Sequence, residues 1–157
     1  MTLTVVKPYK ILSRYGFLLC ATLSFLCVIS NVVKAENMQK LGSMHVHYMA
    51  IGATFLTPEI AKAYGIQRSR YNALIIISVL DGSTKGTPAQ TVSITGSAKN
   101  NVGQYKNIEF KEVIEGDAIY YLAEMTYANE ETLHFDLNIS NGKETQNLKF
   151  KQKFYVD

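Results

Sequence analysis

The chain has 157 residues with 16 basic and 13 acidic side chains, a formal net charge of +3. Four of the basic residues and none of the acidic ones precede residue 36, so residues 36–157 carry 12 basic against 13 acidic side chains, a net charge of −1. The basic character therefore belongs to the N-terminal segment and is no evidence for nucleic-acid binding. Both cysteines, Cys20 and Cys27, lie in that segment too. Disulfides, thiol nucleophiles and cysteine metal sites are thus excluded from the remainder of the chain.

The first 35 residues are typical of a secretory signal peptide. A basic start is followed by an apolar run over residues 17–29, and Val33 and Ala35 place short side chains at the −3 and −1 positions of a cleavage site. The apolar run is shorter than the roughly 20 residues that span a bilayer. We therefore predict cleavage after Ala35 and one exported domain over residues 36–157, without a stable membrane anchor.

The mature chain begins with residues 36–42, which are polar and predict a short arm. Ser43–Ile51 follows as the first strand, because side chains of different character alternate along it with the period of a strand. One face of this strand carries four apolar side chains, Met44, Val46, Tyr48 and Ala50. The opposite face carries His45, His47 and Met49.

A short helix is predicted over Thr57–Gly65. Thr57 is a good capping residue, Pro58 suits the first helical position, and Gly65 suits a left-handed exit. The apolar and largely β-branched run Ala73–Leu80 comes next and hardly alternates. It predicts a central strand that is covered on both faces.

Five more stretches alternate with a period of two and predict strands. They are Thr91–Ser97, Asn107–Ile114, Asp117–Tyr127, Leu133–Ile139 and Leu148–Phe154. In the second of them we expect Ile108, Phe110 and Ile114 to face inward. Seven strands and one short helix in a domain of this size predict an all-β fold, an immunoglobulin-like antiparallel β-sandwich.

A tight hairpin is predicted between the last two strands, because Asn141-Gly142 is a strong signal for a two-residue turn. Such a turn would pair Ile139 with Glu144, which mismatches an inward apolar residue with a charged one. We therefore expect a bulge or fraying beside the turn.

The segment Phe55–Arg70 (FLTPEIAKAYGIQRSR), followed by Ala73–Leu80 (ALIIISVL), resembles the small exported bacterial proteins grouped as domain of unknown function 4426. His47-Tyr48 and the signal peptide also suit that family. The resemblance covers essentially the whole mature chain, and it implies a β-sandwich protein of the Gram-negative periplasm. It implies no reaction and no catalytic residue.

The sharpest candidate site is His45-x-His47-x-Met49. On a strand these side chains project from one face, with roughly 7 Å between successive residues. Imidazole and thioether ligands suit copper, especially the reduced ion, and Met38 or Met44 could add thioether ligands from nearby in the sequence. The alternative is a solvent-facing edge strand whose histidines bind no metal.

Charged groups elsewhere offer weaker candidates. Arg68 and Arg70 predict either an anion clamp or ordinary pairing with acidic groups and helix carbonyls. A lysine stripe on the final strand predicts protection of a sheet edge against aggregation, and the alternative is docking on an anionic membrane surface; its members are Lys149, Lys151 and Lys153. His134, Asp136 and Ser140 share an outward face, but no nucleophile-elbow pattern supports a catalytic triad.

The absence of a nucleophile set, a phosphate loop or a strong metal motif favours a non-enzymatic binding module of the cell envelope that needs no cofactor. Its partner is expected to be another envelope protein or component, and not a nucleic acid. The alternative is a periplasmic copper-binding protein that uses His45, His47 and Met49. A hydrolase acting on envelope material is the least favoured hypothesis.

Overall fold

Two antiparallel sheets form the fold in the computed structural model, which describes residues 37–156. The elements follow in the order β1 (Met38–Leu41), β2 (Met44–Gly52), a 3-10 turn (Ala53–Phe55), α1 (Pro58–Tyr64), β3 (Asn72–Asp81), β4 (Ser93–Asn100), β5 (Tyr105–Asn107), β6 (Lys111–Glu115), β7 (Ala118–Thr126), β8 (Thr132–Ser140) and β9 (Thr145–Lys153). Sheet I has the strand order β1-β2-β3-β7-β6, and sheet II has the order β5-β4-β8-β9. The predicted β-sandwich with one short helix is thus confirmed. The predicted signal peptide, residues 1–35, lies outside the described residues, and none of the described helices is long and apolar enough to cross a membrane.

β3 is the central strand of sheet I and lies between β2 and β7. Ile75 and Ile77 are fully buried in the core between the sheets. On the opposite face Leu74 is also buried, in a second apolar cluster with Ala61 of α1 and Ile66. The first half of β3 is therefore covered on both sides, as its unbroken apolar sequence predicts.

The helix α1 forms where the sequence predicts it. The Thr57 hydroxyl accepts a hydrogen bond from the Ile60 amide at 3.3 Å, and Pro58 occupies the first turn. Gly65 adopts a left-handed conformation at φ 69° and ends the helix. Because the helix has only two turns, its packing on the outer face of sheet I supplies most of what stabilises it.

The predicted arm over residues 36–42 is wrong, because Met38–Leu41 forms the edge strand β1. This strand pairs with β2 through a two-residue connection, Gly42-Ser43, which sets Leu41 opposite Met44. Four residues are too few for a periodic pattern to emerge from the sequence.

The predicted strand Asn107–Ile114 is in fact divided between the two sheets. Its start belongs to β5 in sheet II and its end to β6 in sheet I. Between them Ile108 is buried and Phe110 packs on the core, as expected. Ile114 is 63% exposed, contrary to expectation. It lies on the edge strand β6, where the core-facing side is only partly covered.

The expected bulge beside Asn141-Gly142 is also wrong. The loop contains four residues, since Ser140 pairs with Thr145 and the register continues through Leu137 opposite Leu148. The Asn141 side-chain oxygen accepts hydrogen bonds from the Lys143 and Glu144 amides at 3.0 and 2.9 Å. A longer turn thus brings the apolar side chains of β8 and β9 into register.

Candidate functional site

The histidine–methionine motif lies on the outer face of sheet I. Met44 and Val46 are fully buried in the core, so the alternate side chains His45, His47 and Met49 face away from it. β2 is not an edge strand as the metal-free alternative supposed, because β1 and β3 flank it. Met44 cannot serve as a ligand beside the histidines, since its side chain points into the core.

A fourth potential ligand joins this face from β1. Met38 lies directly opposite His47 in the register of β1 and β2. The neighbouring pair, Asn37 and Tyr48, is hydrogen bonded, with the Tyr48 amide donating to the Asn37 carbonyl at 2.9 Å. Hydrogen-bonded and non-hydrogen-bonded pairs alternate along an antiparallel ladder, so Met38 and His47 form a non-hydrogen-bonded pair, in which side chains approach most closely.

Met38 is therefore the hub of a four-residue group. His45 and Met49 are its diagonal neighbours on β2, one on either side of His47. Diagonal neighbours remain within reach of long side chains such as methionine. We refer to Met38, His45, His47 and Met49 as the His–Met quartet.

The members of the quartet differ in their surroundings. His45 packs on Gly82, where a Cβ would lie 2.5 Å from the His45 Nε2 atom. His47 is half-buried and lines an open concavity of about 560 Å³ together with residues 86–89 and 117–118 among others. Met49 is 47% exposed. The face is thus shaped by neighbouring backbone and accessible to a small ion.

The donor set of the quartet selects among metals. Within residues 37–156 no group of three or more His, Cys, Asp or Glu side chains is arranged to hold a metal ion. A site here must therefore combine its two imidazoles with thioether sulfur. Zinc, calcium and magnesium sites rely on thiolate, imidazole or oxygen ligands, whereas thioether ligands select reduced copper.

The two arginines have separate partners. The Arg68 Nε donates to the Leu56 carbonyl at 2.9 Å, and its Nη2 donates to the Thr54 carbonyl at 3.2 Å. Arg70 lies over the Tyr71 ring, with 5.7 Å from Cζ to the ring centroid. Arg68 therefore fastens the chain around the 3-10 turn, and an anion clamp of Arg68 with Arg70 stays a prediction.

The candidate residues for a hydrolase, His134 and Asp136, are engaged in other contacts. The His134 Nε2 lies 3.0 Å from the Asn101 side-chain oxygen. Asp136 accepts from Asn147 at 2.7 Å and pairs with Lys149 at 3.1 Å. Both contacts lower the pKa of the Asp136 carboxyl, with the Asn147 hydrogen bond as the larger cause. His134 and Asp136 thus lack the mutual hydrogen bond that a triad needs.

Comparison with known proteins identifies the family to which this β-sandwich belongs. A family model described as Domain of unknown function (DUF4426) matches residues 38–157. The crystal structure of a DUF4426 family protein from Pseudomonas aeruginosa PAO1 is 32% identical, covers 80% of this chain and 98% of that chain, and superposes with a TM-score of 0.67. The chain belongs to the DUF4426 family, which confirms the resemblance seen in its sequence.

More distant structures share the fold alone. A copper-bound variant of FetP from uropathogenic Escherichia coli strain F11 is 11% identical with a TM-score of 0.55, covering 78% of this chain and 97% of that chain. FetP of the same strain in its as-isolated form is 10% identical with a TM-score of 0.53, covering 76% and 93%. A search among curated proteins gives no significant match.

Proposed function

We propose that this DUF4426 protein is a non-enzymatic binding module exported to the periplasm, and that it binds a copper ion in its reduced state through three residues of the His–Met quartet. The observation that carries the proposal is the cross-strand pair of Met38 and His47. It converts a common His-x-His pattern on one strand into a two-strand group with both imidazole and thioether ligands. Such mixed soft donors suit Cu(I) better than other biological cations.

The spacing within the quartet favours particular ligands. His45 and Met49 are four residues apart on β2, roughly 13 Å along the strand, and are too distant to share one small ion easily. Met38 and His47 form the central pair, and either neighbour on β2 completes a three-ligand site. We favour Met49 as the third ligand, because its exposed side chain is long and His45 is packed on Gly82.

The likeness to FetP supports this proposal in a limited way. One of the FetP structures is copper-bound, so a sandwich of this shape is compatible with copper binding. At 11% identity the comparison does not transfer ligands to this chain. The ligand assignment therefore depends on the register of β1 and β2.

Copper titration under reducing conditions tests the proposal. The purified protein competes with a chromophoric Cu(I) chelator, and we expect it to take up copper in a saturable way. Substituting Met38→Leu together with Met49→Leu keeps the side-chain volume but removes both sulfur atoms, and should weaken binding by at least about tenfold. His47→Gln should weaken it similarly.

His134→Gln is the matched control, because His134 is an exposed histidine of sheet II outside the quartet. It should leave copper affinity unchanged. Failure of the wild-type protein to compete with the chelator would refute the proposal. Equal affinity in the wild type and the doubly substituted protein would refute it too.

A further inference from the structure

The outer face of sheet II carries a row of basic side chains that the copper proposal does not use. Lys99 of β4, His134 of β8 and Lys151 of β9 lie directly opposite one another across three strands. All three are exposed. We call these three residues the basic row.

The two lysines of the basic row lie on either side of His134, two strand spacings or roughly 10 Å apart. The formal charge of the row at pH 7 is that of these two lysines, because histidine counts as neutral, and it lies in a domain whose net charge is −1. An anion seated over His134 would therefore lie between two ammonium groups.

The neighbouring row does not neutralise this charge. It contains Ser97, Asp136 and Lys149 in register. Asp136 is already paired with Lys149 at 3.1 Å and holds the Asn147 amide at 2.7 Å. The Asp136 carboxylate is therefore engaged with Lys149 and Asn147 and not with the lysines of the basic row.

The two rows line an open concavity of about 400 Å³. This volume falls within the range of small-molecule sites, roughly 300–1,000 Å³. Tyr105 stands at its rim, 68% exposed, with the Lys99 Nζ 5.2 Å from the ring centroid. The contact between His134 and the Asn101 side chain orients the imidazole on the same surface.

Edge protection explains only part of this arrangement. β9 is an edge strand of sheet II, and lysines there discourage pairing with other chains. Lys153, farther along β9, pairs with Glu130 at 3.0 Å and lies over the Tyr155 ring. Lys99, however, is on β4, which is flanked by β5 and β8, so it protects no edge.

We propose that the basic row is a binding site for the phosphate group of an anionic ligand. A lysine ammonium group binds phosphate as a point charge with three hydrogen-bond donors, and a phosphate offers enough acceptor oxygens to contact both lysines of the row. Phosphate is presented by soluble phosphate compounds and by phospholipid headgroups. The site is on the opposite sheet from the His–Met quartet, so this proposal does not depend on copper binding.

Two parallel titrations test for the phosphate chemistry and distinguish its source. In the first, ¹H–¹⁵N spectra are recorded as inorganic pyrophosphate is added in a phosphate-free buffer. In the second, the protein is sedimented with phosphatidylglycerol vesicles, and phosphatidylcholine vesicles serve as the neutral control. Saturable shifts centred on the amides of Lys99, His134 and Lys151 indicate a soluble ligand, and selective cosedimentation indicates a phospholipid headgroup. Either result supports the site, and a negative result in both overturns it.

Charge-matched variants make the result specific. Lys99→Gln with Lys151→Gln should lower affinity in the positive titration by about tenfold, as expected for lost charge-assisted hydrogen bonds. Lys62→Gln with Lys85→Gln removes two exposed lysines from α1 and the loop after β3 and should change affinity less than about twofold. An equal loss in both double variants would overturn the site in favour of general charge attraction. Both lysines are exposed, so the first variant should melt within a few degrees of the wild type, and a folding defect is distinguishable from lost binding.

Discussion

At the scale of single residues, the Tyr121 hydroxyl links the connection between β3 and β4, residues 82–92, to the core. Its side chain is buried among the core residues of β7. The hydroxyl accepts a hydrogen bond from the Val92 amide at 2.8 Å and donates to the Glu112 carboxylate at 2.7 Å. It thereby joins β6, β7 and the segment that enters β4.

Tyr121→Phe should destabilise the protein by about 1–2 kcal/mol, because the buried Val92 amide loses its acceptor. Burial is the main cause that raises the pKa of Tyr121 to about 12. The folded state thus holds this proton above the ordinary tyrosine pKa of about 10, and the stability linked to it is full below pH 10 and lost as pH rises towards 12. Denaturant unfolding at neutral and alkaline pH measures both effects.

Tyr105→Phe is the control for Tyr121→Phe, since Tyr105 is exposed and its loss of a hydroxyl should change stability by less than about 0.5 kcal/mol. If Tyr121→Phe is as stable as Tyr105→Phe, the hydroxyl network contributes nothing. The linkage prediction also requires Tyr121→Phe to show a weaker loss of stability between pH 10 and 12 than the wild type.

At the scale of elements, the sequence predicts the strands that show a periodic or unbroken apolar pattern, and it does not predict features that leave no such pattern. Period-two alternation predicts β7, β8 and β9, and the unbroken apolar run predicts β3. The strand β1 is not predicted, because its four residues are too few to show a periodic pattern. The division of residues 107–114 between the two sheets is not predicted either, because the alternation continues where the chain changes sheet. The His-x-His-x-Met face is readable from β2 alone. The central place of Met38 in this group could not be predicted, because it depends on the register between β1 and β2. The sequence does not specify that register for a short edge strand.

The turn between β1 and β2 is fastened to sheet II by one carboxylate. Glu144 accepts hydrogen bonds from the Ser43 amide at 2.9 Å and from the Ser43 hydroxyl. The hydroxyl is the largest of the causes that lower the pKa of Glu144. A Cβ on Gly42 would collide with this carboxylate. β1 is thus held in place by a contact between two loops.

Comparing Gly42→Ala with Gly116→Ala separates the stability that the Ser43–Glu144 contact contributes from the cost of backbone strain. Both glycines have φ of +57°, but a Cβ on Gly116 meets no atom within 4 Å. The left-handed conformation should cost each alanine variant about 1–2 kcal/mol. Gly42→Ala should cost more, because it also displaces Glu144.

The extra cost of Gly42→Ala should depend on pH. The pKa of Glu144 is lowered in the folded state, so its contribution is present above the ordinary glutamate pKa and is lost as pH falls through the folded value. Urea unfolding of both variants at neutral and acidic pH should therefore show a difference that shrinks in acid. Equal costs at neutral pH would mean that the loop contact does not hold β1.

At the scale of the whole molecule, the two sheets present different chemistry on their outer faces. Sheet I offers soft ligands in the His–Met quartet, and sheet II offers the basic row with its open concavity. The core between them is apolar throughout its main cluster. The apolar core therefore lies between the two proposed sites, and substitutions on one outer face leave the residues of the other unchanged.

Copper binding should leave a distinctive mark on stability, because the quartet joins the edge strand β1 to β2. A ligand present at 100 times its dissociation constant stabilises the folded state by about 2.7 kcal/mol, which corresponds to a rise in Tm of roughly 10 °C for a domain of this size. Amide hydrogen exchange should slow most in β1, since edge strands open most readily and copper would fasten this one.

The same measurement separates the two proposed sites. Among amides that exchange through local opening, pyrophosphate should slow those of β4, β8 and β9 and leave those of β1 unchanged, whereas Cu(I) should slow those of β1. Met38→Leu should abolish the copper-dependent protection of β1 while retaining any effect of pyrophosphate. Protection by Cu(I) that is limited to amides exchanging through global unfolding, with no additional slowing in β1, would contradict a local site on β1 and β2, because it would show that the ion stabilises the fold without bridging those strands.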